Sequence, residues 1–438
     1  MKYLEINFRK INKLAIVGLA FTLMACTFDE EVDPNRPSLE GVLSEASINQ
    51  LNNLVVGIES AMRNGLGIQT TGSGTMAREL YLFDADPRNT GDLLGANGAS
   101  LDNNSFYSSS PWASRYLTIK NANILLEAVE NTSSATATQK AGYRAFAKTI
   151  IAHELIDVVK SYGRARVDVS DPNNLGAILD ASSALNAVVS MLDDANSELN
   201  QAGSDFAFPL AGFAGFDTPS KFGEFNRALK AIALLYNDDK SGALAALASS
   251  FMDLDGDITV GPKHVFSLGS GDQTNDLYKI VDNNGDQIIV HDSFINDAEE
   301  GDLRVAQKTV IRSNPTSQDG LTGTHQTALY SSNISPIDIV RNEELILVYA
   351  EANIPSNLNE ATNAINIVRN AAGLNNYSGD STAAAVTTEL LHQRRYSLWC
   401  ENHRMYDLRR YNISSTLPID RSGDQIFNQL PIPLTENE

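Results

Sequence analysis

Between Ala141 and Lys160, apolar residues fall at Tyr143, Phe146, Ala147, Ile150, Ile151, Leu155, Val158 and Val159. This i, i+3, i+4, i+7 spacing predicts one amphipathic helix, and Tyr162-Gly163 ends it. A second stripe runs through Leu185, Val188, Val189, Leu192 and Leu199. Two helical hairpins follow. The first pairs Lys221–Tyr236 with Ala243–Phe251 across the polar turn 237–242. The second pairs Ile337–Ala352 with Leu358–Ala371 across 353–357, and Gly373 stops it. Ala228, Ala231 and Ala233 line the first pair, Ala361 and Ala364 the second. Such small side chains let antiparallel helices approach closely.

A helix, a short polar turn and an Ala-rich helix resemble a tetratricopeptide unit. The units do not form a clean tandem array, because two segments interrupt the helical period. Thr70–Pro111 is rich in Gly, Asp, Asn and Ser. Asp253–Pro336 carries short β-prone runs such as Gln287–Val290, with the turn dipeptides Asp255-Gly256, Asn284-Gly285 and Asp319-Gly320. Loops this long inside a folded domain are usually functional or disordered. The predicted fold is therefore mostly α. A tetratricopeptide-like helical-hairpin scaffold carries loop and short-β insertions, about 70–111 and 253–336, that form a ligand lobe.

The N-terminus adds an address. Lys2, Arg9, Lys10 and Lys13 precede an uncharged apolar stretch from Leu14 to Met24. A bilayer span needs about 20 apolar residues, so this stretch reads as a signal peptide that is removed. Its closing Leu23-Met24-Ala25-Cys26 resembles a bacterial lipobox, in which the Cys26 thiol takes a diacylglycerol. That predicts a leader over 1–25, an acidic tether over 26–40 and a folded domain over 41–438. The run Asp29-Glu30-Glu31-Val32-Asp33 resembles the surface-export signal of lipoproteins from glycan-foraging Gram-negative bacteria, or is a solvated tether.

The 438-residue chain carries a formal charge of −21. The leader's four basic residues and Glu5 contribute +3, which puts the mature chain near −24. Such a surface argues against nucleic acid and anionic headgroups, and favours neutral or cationic ligands. Of the two cysteines only Cys400 remains after lipidation, so packing has to supply the stability.

No constellation for catalysis emerges, and no cofactor is implied. His153-Glu154-Leu155-Ile156-Asp157 lacks the second His at i+4 that a zinc helix needs. Gly-x-Ser-x-Gly elbows and phosphate loops are missing from the sequence. Carboxylates are numerous, but none is singled out as a glycosidase pair. Asp253-Leu254-Asp255-Gly256-Asp257 lacks the closing bidentate Glu of a Ca²⁺ loop and reads as an Asp-Gly turn. Cys400, between Trp399 and Glu401 on an expected helix, reads as a small core residue.

The C-terminal third resembles the SusD/RagB family of outer-membrane nutrient-uptake lipoproteins. Arg341-Asn342-Glu343-Glu344-Leu345-Ile346-Leu347-Val348-Tyr349-Ala350-Glu351-Ala352 is similar to its "R-x-x-E-x-x-L-x-Y-A-E-A" helix. Ala364–Leu374 is similar to "A-I-N-x-V-R-x-R-A-G-L". Arg394–Arg410 is similar to "E-R-R-x-E-L-x-F-E-G-x-R-x-x-D-L-x-R", and Leu430-Pro431-Ile432-Pro433 to a closing "P-I-P". Upstream, Asp33-Pro34-Asn35 and the run from Trp112 through Tyr116 to Lys120-Asn121-Ala122-Asn123 also fit. Gln393 stands where the family usually has Glu, and Asn402 where it usually has Gly. Without the family, Glu401, Arg404 and Asp407 read as i, i+3 partners on one helix face. Arg394, Arg395, Arg409 and Arg410 read as a scaffold segment tied to acidic neighbours.

The resemblance implies a binding protein, not an enzyme. It would sit in the outer membrane through its lipid anchor, facing the cell exterior, and cap a SusC-like TonB-dependent transporter. Its ligand would be an oligosaccharide. The same architecture capturing peptides is the alternative, and a surface hydrolase is a third reading. Sugars are recognised by aromatic faces against C–H faces and by polar groups on hydroxyls. The candidate platforms are Phe106, Tyr107, Trp112 and Tyr330. The candidate polar partners are Asp86, Arg88 and Asn104.

Overall fold

The computed structural model describes residues 38–436. The leader, the lipidation candidate Cys26 and the acidic run after it lie outside the described residues. Helices α1 (Leu39–Glu45), α2 (Ile48–Ala61) and α3 (Leu66–Met76) lead into strand β1 (Leu80–Phe83). Two long helices follow, α4 (Phe106–Asn131) and α5 (Ala137–Tyr162). Strands β2 (Arg164–Arg166) and β3 (Ile178–Asp180) form a small ribbon before α6 (Ala181–Leu199), α7 (Pro219–Tyr236) and α8 (Lys240–Leu247). Next come β4 (Lys263–His264), β5 (Gln287–Val290), α9 (Asp292–Asn296), α10 (Leu303–Lys308), β6 (Thr309–Gln318), β7 (Leu321–Thr327) and β8 (Ile337–Asp338). The chain closes with α11 (Asn342–Asn353), α12 (Leu358–Ala371), α13 (Ala383–Ser397) and α14 (Arg404–Arg410).

Local chemistry sets these boundaries. Thr136 and Gln139 form a capping box on α5, and Gly163 closes that helix at φ 68°, where an L side chain is strained. Successive helices from α4 to α8 pack as antiparallel pairs, as do α11 and α12, so the scaffold is the expected stack of helical hairpins. One large core runs through α1–α8 and reaches Tyr406 and Leu408 of α14. A second lies among α11, α12 and α13.

Several predicted boundaries move. Thr70–Met76 is helical, because Gln69–Met76 is buried all round and packing overrides the poor helix propensity of Gly and Thr. Gly74 is required there, since a Cβ would lie 2.9 Å from Leu80 Cγ. Phe106–Pro111 belongs to α4. Ile337-Asp338 pairs with β4 as a strand, so α11 begins at Asn342. The second helix of the first hairpin is shifted to Lys240–Leu247, because Asp239 caps it by accepting from Gly242 N. Leu39 and Glu40 start α1 and do not extend the tether.

The segment 253–336 is more ordered than its turn chemistry suggests. It supplies three strands of an antiparallel sheet in the order β1-β5-β7-β6. β6 and β7 form a two-residue hairpin at Asp319-Gly320, with φ 52° and 80°. Both values are positive, as the favoured Asp-Gly hairpin turn demands. A small core of Tyr81, Phe83, Leu94, Ile289 and Leu321 backs this lobe.

The C-terminal motif residues form a buried ionic lattice. Arg394 Nε bonds Asp407 Oδ2 at 2.7 Å, and Arg410 bonds Asp407 at 2.9 Å and Glu351 at 2.7 Å. Arg304 joins Asp302 and Gln393, each at 2.7 Å. Arg341 bridges Glu343 and Glu401. Burial pushes the Asp407 carboxyl up, but Arg394 and Arg410 outweigh it and hold it below its ordinary value.

The expected Glu401–Arg404–Asp407 face does not form. Cys400 and Asn402 adopt φ 62° and 60°, which breaks the helix between Ser397 and Arg404. Glu401 turns to Arg341 and Lys308, while Arg404 reaches the Ala77 carbonyl. Asn402 thus stands at a left-handed position, where Asn is the best tolerated replacement for Gly. Cys400 is a buried free thiol in this turn, not on a helix.

Three outcomes follow from these charged groups. Asp407→Ala strands the buried Arg394 guanidinium and takes one of two carboxylates from Arg410, so it should cost about 3–5 kcal/mol in denaturant unfolding. Arg144→Ala, which breaks an ion pair nearer the surface with Glu198, should cost no more than about 1 kcal/mol. The third outcome concerns pH. Burial raises Glu344 from 4.5 to about 7, against the pull of Lys160, Arg394 and Arg341 and with Glu401 adding to the rise. His403 Nε2 lies 3.8 Å from it. The folded state binds this proton more tightly, so its contribution is full below pH 4.5 and is lost as pH rises towards 7. Melting curves of Glu344→Gln against the parent should therefore shift in the variant's favour between pH 5 and pH 8. A constant difference would refute the assignment.

Candidate ligand-binding face

The chain leaves β1 at Asp84 and runs as a loop to Ser105, the cap of α4. The loop is pinned from inside. Asp84 accepts from Asp86 N at 3.0 Å and from Asn89 Nδ2 at 2.9 Å. Asp86 caps the short 3-10 turn Pro87–Asn89 by accepting from Arg88 N. Tyr107 Oη donates to Asp92 at 3.0 Å and accepts from Asp102 N at 2.7 Å.

Other elements clamp the loop from outside. Gln318 Nε2 donates to the Asp84 carbonyl at 2.9 Å, and Thr90 donates to Asp319 at 2.5 Å. Arg421 donates to the carbonyls of Thr90 and Asp319, and Gln425 N to that of Leu94. The hairpin tip and the 420–425 segment were not among the expected site residues. The Asp319-Gly320 turn signal alone pointed to the first.

What remains at the surface is compact. Arg88 grips Asp86 with two hydrogen bonds, at 2.9 and 2.6 Å. Its guanidinium lies over the Phe106 ring, 4.7 Å from the centroid. The hydrogen bond from Arg88 holds the Asp86 carboxyl below its ordinary value, so it stays an anionic acceptor. The Arg88 side chain keeps 46% of its surface exposed. Asn104 is exposed on the same loop, its backbone N bonded to Asp102. The arrangement offers a carboxylate, a fixed fork of donors and an aromatic ring at one place.

The remaining candidates are placed elsewhere. Tyr107 and Trp112 are 1% and 3% exposed. Trp112 packs on Tyr116 and Tyr162 at 4.7 and 5.0 Å. Both are core residues of α4, because the insertion ends earlier than its composition suggests. Tyr330 is half-buried and packs on the cluster of Leu80, Leu277, Phe294 and Trp399, apart from Arg88 and Phe106. Burial pushes its hydroxyl well above the ordinary value.

Comparison with known proteins places this geometry. Residues 317–431 match a family model described as the SusD family. Surface glycan-binding protein A from Bacteroides thetaiotaomicron, in complex with laminarihexaose, superposes with a TM-score of 0.69 at 16% identity, over 89% of this chain and 97% of that one. The chain shares the fold of these structures, and its residues 317–431 are similar to the SusD family. NanU of B. fragilis gives 0.62 at 15% identity, over 92% of this chain and 97% of that one. A laminarin-binding SusD-like protein gives 0.61 at 16%, over 89% and 97%. No curated protein matches the sequence. The matched segment contains β7, the hairpin tip at Asp319-Gly320 and the lattice groups Arg341, Glu351, Arg394, Glu401, Asp407 and Arg410. Asp86, Arg88, Asn104 and Phe106 lie outside the matched segment.

Proposed function

We propose that this SusD-like protein captures an oligosaccharide at the Asp86–Arg88–Phe106 face and delivers it to a SusC-like TonB-dependent outer-membrane transporter. The observation that carries the reading is the exposed guanidinium, paired to a carboxylate and stacked on an aromatic ring, on a fold whose solved relative holds laminarihexaose. Sugar hydroxyls need donors and acceptors in fixed positions, and the fork of Arg88 with the ionised Asp86 supplies both. The protein holds its ligand and performs no covalent step on it. Among the described residues no helix is long and apolar enough to cross a membrane. The lipid on Cys26 is then the anchor, and the protein faces the cell exterior.

Titration calorimetry against a panel of neutral oligosaccharides and cationic peptides tests this. At least one oligosaccharide should bind, and Arg88→Ala should weaken it about tenfold, roughly 1.4 kcal/mol, with an unchanged melting temperature. Binding of cationic peptides alone would favour the peptide alternative. Turnover of the bound sugar would make the protein a hydrolase.

A further inference from the structure

A second polar site lies among the scaffold helices. A cavity of about 80 Å³ lies where α3, α5, α7, α11 and the β4–β8 pair meet the turn 400–403. Its wall is unusually polar for an interior. Gln69, Tyr236, Asn402 and His403 all line it, and each is at least nine-tenths buried. Each also carries one buried atom that bonds no protein group: Gln69 Oε1, Tyr236 Oη, Asn402 Oδ1 and His403 Nδ1. Leaving such an atom without any partner costs about 1–3 kcal/mol. Four residues that line one cavity each carry such an atom, which points to an occupant.

The charges define its chemistry. Lys160 faces Asp157 at 3.4 Å, and Arg341 is bound to Glu401, so these cations and anions cancel pairwise. Glu344 faces the neutral His403 ring. Among the described residues no group of three or more His, Cys, Asp or Glu is arranged to hold a metal ion. A neutral donor and acceptor fits this wall better than an ion. By the same volume measure a water needs roughly 10–15 Å³, so there is room for about five to eight.

We propose that this cavity is a built site for a cluster of about five to eight ordered water molecules. The cluster joins the motif turn 400–403 to the helices of the scaffold by hydrogen bonds that the protein cannot make directly. Asn402 then has two roles. Its backbone takes the left-handed position, and its amide oxygen accepts from the cluster, which a glycine would not do.

A crystal structure of the full chain at high resolution tests this, alongside Tyr236→Phe. The substitution keeps the ring against Tyr406 and under the Arg410 guanidinium, at 4.6 and 4.9 Å, and deletes only the hydroxyl. The parent should show at least four waters within hydrogen-bond distance of the four named atoms. The variant should lose the one bound to Tyr236 Oη and keep the others. If the variant fails to fold, oxygen-17 relaxation dispersion on the parent still reads long-lived internal water in solution. A dry cavity, side chains collapsed into it, or an occupant with metal–ligand distances would overturn the proposal.

Discussion

The structure depends on keeping buried guanidinium groups paired. Arg394, with 2% of its surface exposed, and its neighbour Arg410 meet Asp407 and Glu351 in the interior. Taking a cation out of water costs several kcal/mol unless a carboxylate and further hydrogen bonds replace the solvent. Every Arg in the lattice therefore fixes the position of its partner element. Asp407 ties α14 to α13, Glu351 ties α14 to α11, and Glu401 ties the turn to Arg341. An apolar core alone tolerates sliding, whereas these paired forks set one register.

The lobe inherits its position from the same region. Trp399 Nε1 and His291 N both donate to the Glu79 carbonyl, just before β1. Arg78, fully buried at φ 53°, donates to the Met76 and Gln425 carbonyls and faces Asp420 at 3.3 Å. β1 is thus fastened to the C-terminal segments before the loop from Asp84 leaves it. Its tip is then held by Thr90, Asp319 and Arg421. Arg88 and Phe106 are presented by a framed loop, which spares a ligand part of the entropy of ordering them.

The helical hairpins were legible because their apolar period is strong, and the α12 bounds 358–371 agree with the sequence reading. The motif residues were legible as scaffold: Arg394, Arg395 and Arg410 bind Asp407, Asp297 and Glu351. What escaped was set by tertiary contacts. α3 has almost no apolar stripe, because it is buried on all sides. The i, i+3 pairing of Glu401 with Arg404 fails because two residues with positive φ lie in and beside that interval. Aromatic residues near a Gly- and Asp-rich segment looked alike in sequence. Only the helix start at Phe106 separates that half-exposed ring from the buried Tyr107 and Trp112.

The central claim is that the motif-bearing interior holds the fold while the loop from Asp84 to Phe106 meets the ligand. A crystal structure with the tightest-binding oligosaccharide tests it most directly. The account predicts sugar hydroxyls bonded to Asp86 and Arg88 beside Phe106, with the Arg394–Asp407–Arg410 lattice unchanged. A sugar bound elsewhere, with the Arg88 face left to solvent, would contradict it.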